Sequence, residues 1–158
     1  MRRLTVVQLL PALSSGGVER STLEVGSALV AAGHRSIVVS AGGRLVAPLE
    51  AAGSEHVTLD IGRKSPTSLR HIASLRRLFA AQHADIVHAR SRLPAWLAAQ
   101  ALTSKHSPHA HFVTTVHGLN SPGRYSGIMA RGERVICVSE TVRSYVLRHW
   151  PQTPPDRL

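Results

Sequence analysis

The chain places glycines and polar side chains directly after four of its apolar segments. These are Gly16 and Gly17, His88 and Arg90, His117 and Gly118, and Ser139 and Glu140. Adjacent glycines each cost a helix about 1 kcal/mol relative to alanine, so a segment that only connects two elements rarely contains them. A bare Gly-Gly loop that opens a helix can bring its backbone amides, and the positive end of the helix dipole, close to an anion. The sequence therefore predicts a site for a phosphate or diphosphate.

The elements that must position these residues alternate regularly along the chain. Six apolar segments predict strands: LTVVQLL, RSIVVSAGG, EHVTLDIG, DIVHARS, HFVTTVHG and RVICVS. Short apolar runs without strict alternation are typical of strands that are covered on both faces. Helical patterns between them predict an α/β fold with a Rossmann-like, doubly wound parallel sheet. Ligands bind such a sheet at the carboxyl ends of its strands, where the polar residues stand.

Three stretches between or after the strands predict particular local structure. Ser65 followed by Pro66 predicts the start of a long helix, with serine as N-cap and proline at its first position. The stretch RYSGIMARG predicts a short polar helix or loop. The last residues, PQTPPDRL, predict an extended tail because prolines end the preceding helix.

Composition restricts the partners and the compartment. The 158 residues carry 19 Lys and Arg against 9 Asp and Glu, a net charge of +10, which favours an anionic partner. Aromatic residues are only 4% and no basic run exceeds two residues, so nucleic acid is not expected as a partner. No apolar run approaches the roughly 20 residues that span a bilayer, and no signal peptide is recognised, which predicts a cytoplasmic protein.

Four motifs occur in a fixed order: SSGGVER, DIVHARS, TVHG and VICVSE. In this combination the chain resembles the N-terminal, acceptor-side domain of retaining glycosyltransferases with the GT-B fold, in glycosyltransferase family 4. The resemblance covers nearly the whole chain, with 1–150 as the Rossmann-like domain and 151–158 as the start of a linker to a C-terminal, donor-binding domain. Arg90 departs from the pattern, since many relatives have histidine there.

The resemblance implies roles for individual residues. Gly16 and Gly17 would lie against the diphosphate of a nucleotide-sugar donor, and His117 would be catalytic, contacting the transferred sugar near its reacting carbon. The residues implied at the sugar or on the acceptor side are Arg90, Gly118, Ser139 and Glu140. The implied acceptor is a glycan or a lipid-linked molecule such as lipopolysaccharide core. No metal or other cofactor is expected, and the chain alone is expected to be inactive.

Simpler interpretations remain open at several positions. His88 is as well explained as a satisfied core histidine, and Ser139 as an N-cap of the last helix. The three histidines His106, His109 and His111 have no helical spacing and no accompanying cysteine or carboxylate, which indicates a solvated loop and no metal site. As a whole, the chain could instead be a stand-alone Rossmann-like module that binds a phosphorylated ligand or an anionic surface without catalysis.

A cluster of basic residues precedes and enters the third predicted helix. Its members are Arg63, Lys64, Arg70, Arg76 and Arg77. A solvated helix face explains the cluster without any function. The functional alternative is a surface that attracts anionic lipid, which would place the protein peripherally on the inner face of the membrane.

Overall fold

The computed structural model describes residues 2–103 and 109–158, which form one parallel sheet flanked by helices. The sheet has the strand order β3-β2-β1-β4-β5-β6, and every neighbouring pair is parallel. Its strands are β1 Thr5–Leu9, β2 Arg35–Ser40, β3 Glu55–Thr58, β4 Ile86–Ala89, β5 His111–Val116 and β6 Arg134–Cys137. This is the Rossmann order, so the predicted doubly wound sheet is confirmed.

The helices follow the strands as the sequence predicts. They are α1 Gly17–Ala31, α2 Val46–Ala51, α3 Arg70–Ala81, α4 Arg92–Leu102 and α5 Glu140–His149. Ser65 is an N-cap as predicted, but the turn that it opens, Pro66–Leu69, is a 3₁₀ helix that leads into α3. None of the helices within the described residues is both long and apolar enough to cross a membrane.

Alternate residues of the central strands face opposite helical layers. Val7 and Val39 pack in a cluster with Phe79 of α3 and Leu97 of α4. Val38, one residue before Val39, belongs instead to the cluster beneath α1 and α2. Both faces of the sheet are therefore covered, which explains why the strand segments read as continuous apolar runs.

The stretch expected to be a short polar helix or loop is a buried 3₁₀ helix, Ser126–Ala130, so its expected polarity is wrong. All five of its residues are buried, and Thr114 Oγ1 donates a hydrogen bond of 2.6 Å to Met129 O. A Cβ at Gly127 would lie 2.8 Å from Nε1 of Trp150, so the glycine lets the indole pack directly on the backbone. The segment is part of the core because Ile128 and Met129 pack beside β5 and β6.

The final residues are also more ordered than an extended tail. Thr153 is buried and donates its hydroxyl hydrogen to Ala130 O at 3.3 Å. A short 3₁₀ helix, Pro155–Arg157, follows, and Arg134 Nη1 donates to Asp156 O at 2.9 Å. Residues 151–158 therefore pack against the domain, while their assignment as the start of a linker stays a prediction.

The loops after β1 and β2 hold each other at the carboxyl edge of the sheet. Leu13 N donates to Gly42 O, and Leu45 N donates to Leu13 O. Gly43 has φ 145° and lies so close to this strand end that a Cβ would meet the Leu13 carbonyl carbon at 2.5 Å. The contact fixes the starting point of the loop that leads to the two glycines ahead of α1.

We expect Gly43→Ala to destabilise the chain by about 2–4 kcal/mol, because the methyl group adds a backbone clash to the strain of a positive φ. Gly42→Ala is the matched control: its φ is also positive, at 95°, but no atom lies within 4 Å of its Cβ position. The control should cost only about 1 kcal/mol. Urea denaturation measures both, and equal losses would contradict the packing of Gly43 on Leu13.

Candidate active site

A cleft opens at the carboxyl edge of the sheet, where the order of the strands reverses between β1 and β4. The connection from β1 runs to one side of the sheet and that from β4 to the other, so their loops separate and leave a crevice. The cleft has a volume of about 320 Å³. It is lined by residues that follow β1, β4 and β5 and by the first turn of α1.

Arg90 forms the floor of the cleft. Its side chain is 5% exposed, its Nε donates to Gln8 Oε1 at 2.8 Å, and its Nη1 donates to Ser21 Oγ at 2.6 Å. Burial lowers the pKa of Arg90 to about 10, so the guanidinium remains charged at neutral pH. Within residues 2–103 and 109–158, no carboxylate lies within 4 Å of it.

Gln8 connects this guanidinium to the rest of the sheet. The side chain of Gln8 is fully buried on β1, and its Nε2 donates to Thr22 O of α1 at 3.2 Å. Gln8 and His88 are register partners on β1 and β4. The position of Arg90 is therefore set by two strands and a helix at once.

His88 is a buried neighbour of the cleft and does not line it. Its Nε2 shares a 2.7 Å hydrogen bond with Thr115 Oγ1. Burial, followed by the charges of Arg90 and His117, lowers the pKa of His88 to about 3. His88 is thus a neutral core histidine whose Nε2 has a partner, which favours the simpler of its two interpretations.

His117 lines the cleft directly after β5. Its Nε2 is buried and has no hydrogen-bond partner among the described residues. Burial, together with the charge of Arg90, lowers the pKa of His117 to about 4, so the imidazole is neutral. An unpartnered buried nitrogen is costly and calls for a further partner such as a water, an ion or a bound molecule. One ring nitrogen of this cleft residue therefore has no protein partner among the described residues.

The two glycines lie at the mouth of the cleft rather than in its wall. Both are exposed, and Gly16 adopts φ 134° as the N-cap of α1. Their neighbours Val18 and Glu19 line the cleft. A Cβ at Gly16 would lie 2.6 Å from Glu19 Oε2, so this carboxylate already lies over the loop where a diphosphate is predicted. The charge of Glu19 is favourable at a helix N-terminus, and a bound phosphate would have to share or displace that position.

The remaining predicted residues fall into two groups. Gly118 lines the same cleft as Arg90 and His117. Ser139 and Glu140 do not line it and instead border a separate groove beside β6. Ser139 Oγ accepts a hydrogen bond from Val142 N at 3.2 Å, so its predicted capping role is confirmed.

Arg92 is a cleft residue that the sequence reasoning did not single out. It starts α4 two residues after Arg90, its Nη1 donates to Ser126 Oγ at 3.3 Å, and its Cζ lies 5.4 Å from the Tyr125 ring centroid. Both arginines lie in the segment ARSR. The structure ends β4 at Ala89, which places both of them after the strand, at the edge of the sheet where the cleft opens. The sequence signal that points to Arg92 is its position two residues after Arg90.

The chain shows no metal centre among the residues that the structure describes, in the sense of three neighbouring His, Cys, Asp or Glu side chains. His111 Nδ1 pairs with Glu133 Oε2 at 2.8 Å on the surface, and His109 is exposed. His106 lies outside the described residues.

Acidification should destabilise the fold through His88. A histidine titrates near 6.5 when unfolded and near 3 in this core, so between these values the unfolded state binds a proton that the folded state excludes. The free energy of unfolding should therefore fall below pH 6.5, by about 1.4 kcal/mol per pH unit for one such group. His117 acts in the same direction. Urea denaturation at pH 7, 6 and 5 measures how steeply the free energy of unfolding depends on pH. This dependence should be shallower for His88→Gln than for the unmodified chain, and the same as in the unmodified chain for the exposed control His109→Gln. Equal dependence in all three proteins would contradict the assignment of His88 as a neutral core histidine.

Comparison with known proteins identifies solved structures with the same fold and a protein family whose model matches the sequence. Residues 15–158 match the glycosyltransferase family 4 model. A glycosyltransferase from Rickettsia africae ESF-5 superposes with a TM-score of 0.83 and 34% sequence identity, over 99% of this chain and 42% of that one. No curated protein matched the chain in the sequence comparison.

Two further solved structures share the fold at low identity. Anabaena HepE, crystallised in complex with UDP and glucose, has a TM-score of 0.75 at 14% identity and covers 98% of this chain and 43% of its own. Sucrose-phosphate synthase from Thermosynechococcus elongatus has a TM-score of 0.67 at 16% identity, covering 94% of this chain and 45% of its own. The chain spans less than half the length of each of these proteins. By its family match, the chain belongs to glycosyltransferase family 4 and has the fold of a GT-B N-terminal domain.

Proposed function

We propose that this chain is the acceptor-side half of a retaining glycosyltransferase that moves a sugar from a nucleotide-sugar donor to an acceptor without a metal. The observation that carries the proposal is His117, a neutral imidazole in the cleft with an unpartnered Nε2. Family membership supports glycosyl transfer in general. The related Anabaena HepE fold, solved with UDP and glucose, supports the class of donor.

The properties of His117 suit the chemistry of such a transfer. In the proposed mechanism the sugar passes through an oxocarbenium-like transition state, and the leaving diphosphate accepts the proton of the acceptor hydroxyl on the same face of the sugar. A protonated imidazole beside that cationic sugar would raise the barrier. Because burial keeps the pKa of His117 at about 4, the ring stays neutral and can form a hydrogen bond to the sugar without adding positive charge.

The loop ahead of α1 supplies the proposed diphosphate contact. The amides of Gly16 and Gly17 begin the helix, and Gly17 has no atom within 4 Å of its Cβ position, which leaves space for a ligand at the backbone. Glu19 must then turn away from the loop when the diphosphate binds. The position of the Glu19 side chain would then determine both whether the donor diphosphate contacts the loop and whether the cleft is open.

We expect the chain alone to bind UDP-glucose weakly and to transfer no sugar, because in the proposed function it supplies only the acceptor-side half of the enzyme. Nuclear magnetic resonance should show shifts at His117 and Gly118 with UDP-glucose that UDP alone does not cause. Replacing His117 by Ala should remove this difference between the two ligands.

His109→Ala is the control for the loss of an imidazole and should bind as the unmodified chain does. Turnover by the purified chain that His117→Ala abolishes would disprove its expected inactivity. If neither UDP nor UDP-glucose binds while inorganic phosphate does, the stand-alone binding module becomes the better description.

Association with an anionic membrane is the second part of the proposal. Arg70 and Arg77 are exposed seven positions apart, hence on one face of α3. Leu69, beside them, is 66% exposed, which adds an apolar contact to the charges. Arg76 differs from the others, because its Nε donates to Ala101 O at 3.3 Å and so helps to dock α3 on α4.

Vesicles that contain anionic lipid should bind the chain at low salt and release it steeply as ionic strength rises, since each basic residue at the surface contributes about 1 kcal/mol. Arg77→Glu should weaken binding in a sedimentation assay. Arg148→Glu, at an exposed position on α5, is the matched control. Equal binding to neutral vesicles, or equal effects of the two substitutions, would leave the basic cluster as a solvated face.

A further inference from the structure

The guanidinium of Arg90 is a buried cation whose contacts are all neutral. Gln8 and Ser21 accept from its Nε and Nη1, and neither supplies a negative charge. Its Nη2 has no hydrogen-bond partner among the described residues. Burying an ion without a counter-charge is strongly unfavourable, and a site that does so is incomplete in the absence of an anion.

A second arginine with neutral contacts lines the same cleft. Arg92 donates to the Ser126 hydroxyl and lies over the Tyr125 ring, and Lys64 Nζ lies 5.1 Å from the centroid of that ring. The planar fork of arginine matches the paired oxygens of phosphate and carboxylate groups. Because Arg90 and Arg92 both line the cleft, each is placed to contact an oxyanion bound there.

An acidic residue lines the same cleft. Glu19 is the acidic residue that lines the cleft, and it stands on α1 near the glycines. Glu19 is a hydrogen-bond acceptor for hydroxyl groups of a ligand in the cleft. The cleft thus combines cationic groups for an acidic substituent with a carboxylate that can accept from hydroxyl groups.

We propose that Arg90 and Arg92 bind a phosphate or carboxylate group of the acceptor, so that the acceptor is an acidic molecule. This assignment rests on the proposed function, in which the donor diphosphate contacts the amides of Gly16 and Gly17. Arg90 and Arg92 follow β4, whereas that loop follows β1, and we assign the anion at the arginines to the second substrate. An acidic acceptor also agrees with the net charge of +10.

The test uses inorganic phosphate as the probe and the 158-residue chain as the protein. Phosphate is titrated at constant ionic strength against chloride, and the imidazole resonance of His117 is followed. We expect saturable binding and, with phosphate bound, a higher pKa of His117, because an anion nearby favours the imidazolium. Arg90→Gln should weaken phosphate binding at least tenfold, and Arg92→Gln should weaken it less.

Arg148→Gln is the control for the loss of an exposed arginine and should leave phosphate binding unchanged. Thermal unfolding shows whether Arg90→Gln still folds; if it does not, Arg92→Gln decides the test. The absence of saturable binding, or equal affinities of the Arg92→Gln and Arg148→Gln chains, would overturn the site.

The assignment to the acceptor is tested by adding UDP. Phosphate that binds equally well in the presence of saturating UDP supports a separate acceptor subsite. Displacement of phosphate by UDP would overturn that assignment and give the arginines to the donor. A chain that binds phosphate through Arg90 but binds neither UDP nor UDP-glucose would count against the proposed function, and not against the oxyanion site.

Discussion

The pairing of β1 with both β2 and β4 is the constraint on which the rest of the structure depends. Because β1 is central and the chain then builds outward in both directions, the loops after β1 and β4 leave the sheet on opposite sides. The crevice between them needs no special sequence to exist. What the sequence supplies is its lining: Arg90 after β4 and His117 after β5, with Glu19 on the helix that follows β1.

Arg90, the floor of this crevice, is held by uncharged neighbours, which accept its hydrogen bonds but do not neutralise its positive charge. Gln8 occupies a fully buried strand position where an aliphatic side chain would pack without polar requirements, and its amide is used by Arg90 and by Thr22 O. His88 is satisfied by Thr115, whereas His117 Nε2 has no partner within residues 2–103 and 109–158. A core that carries such groups gives up stability at the crevice where open parallel sheets commonly bind ligands, which is the pattern expected of a functional site.

The sequence predicts the architecture because local patterns report it directly: the apolar runs and the Ser139 cap lie where the structure has strands and a helix start. It could not reach contacts between distant residues. Arg90 and Gln8 are 82 positions apart, and their hydrogen bond follows only from the strand order. The Ser126–Ala130 segment was misjudged for a related reason, since five residues are too few to show periodicity, and burial beneath Trp150 is set by tertiary packing.

The outer strand β6 has a consequence for the behaviour of the chain in solution. Among the described residues β6 pairs only with β5, and Ile136 on the strand and Val138 directly after it are about half exposed, at 48% and 52%. Such an edge is a template for pairing with another copy, and it favours aggregation unless something holds the copies apart. Here the net charge of +10 supplies mutual repulsion. Salt screens this repulsion but leaves apolar association intact, so colloidal stability should decline as ionic strength increases.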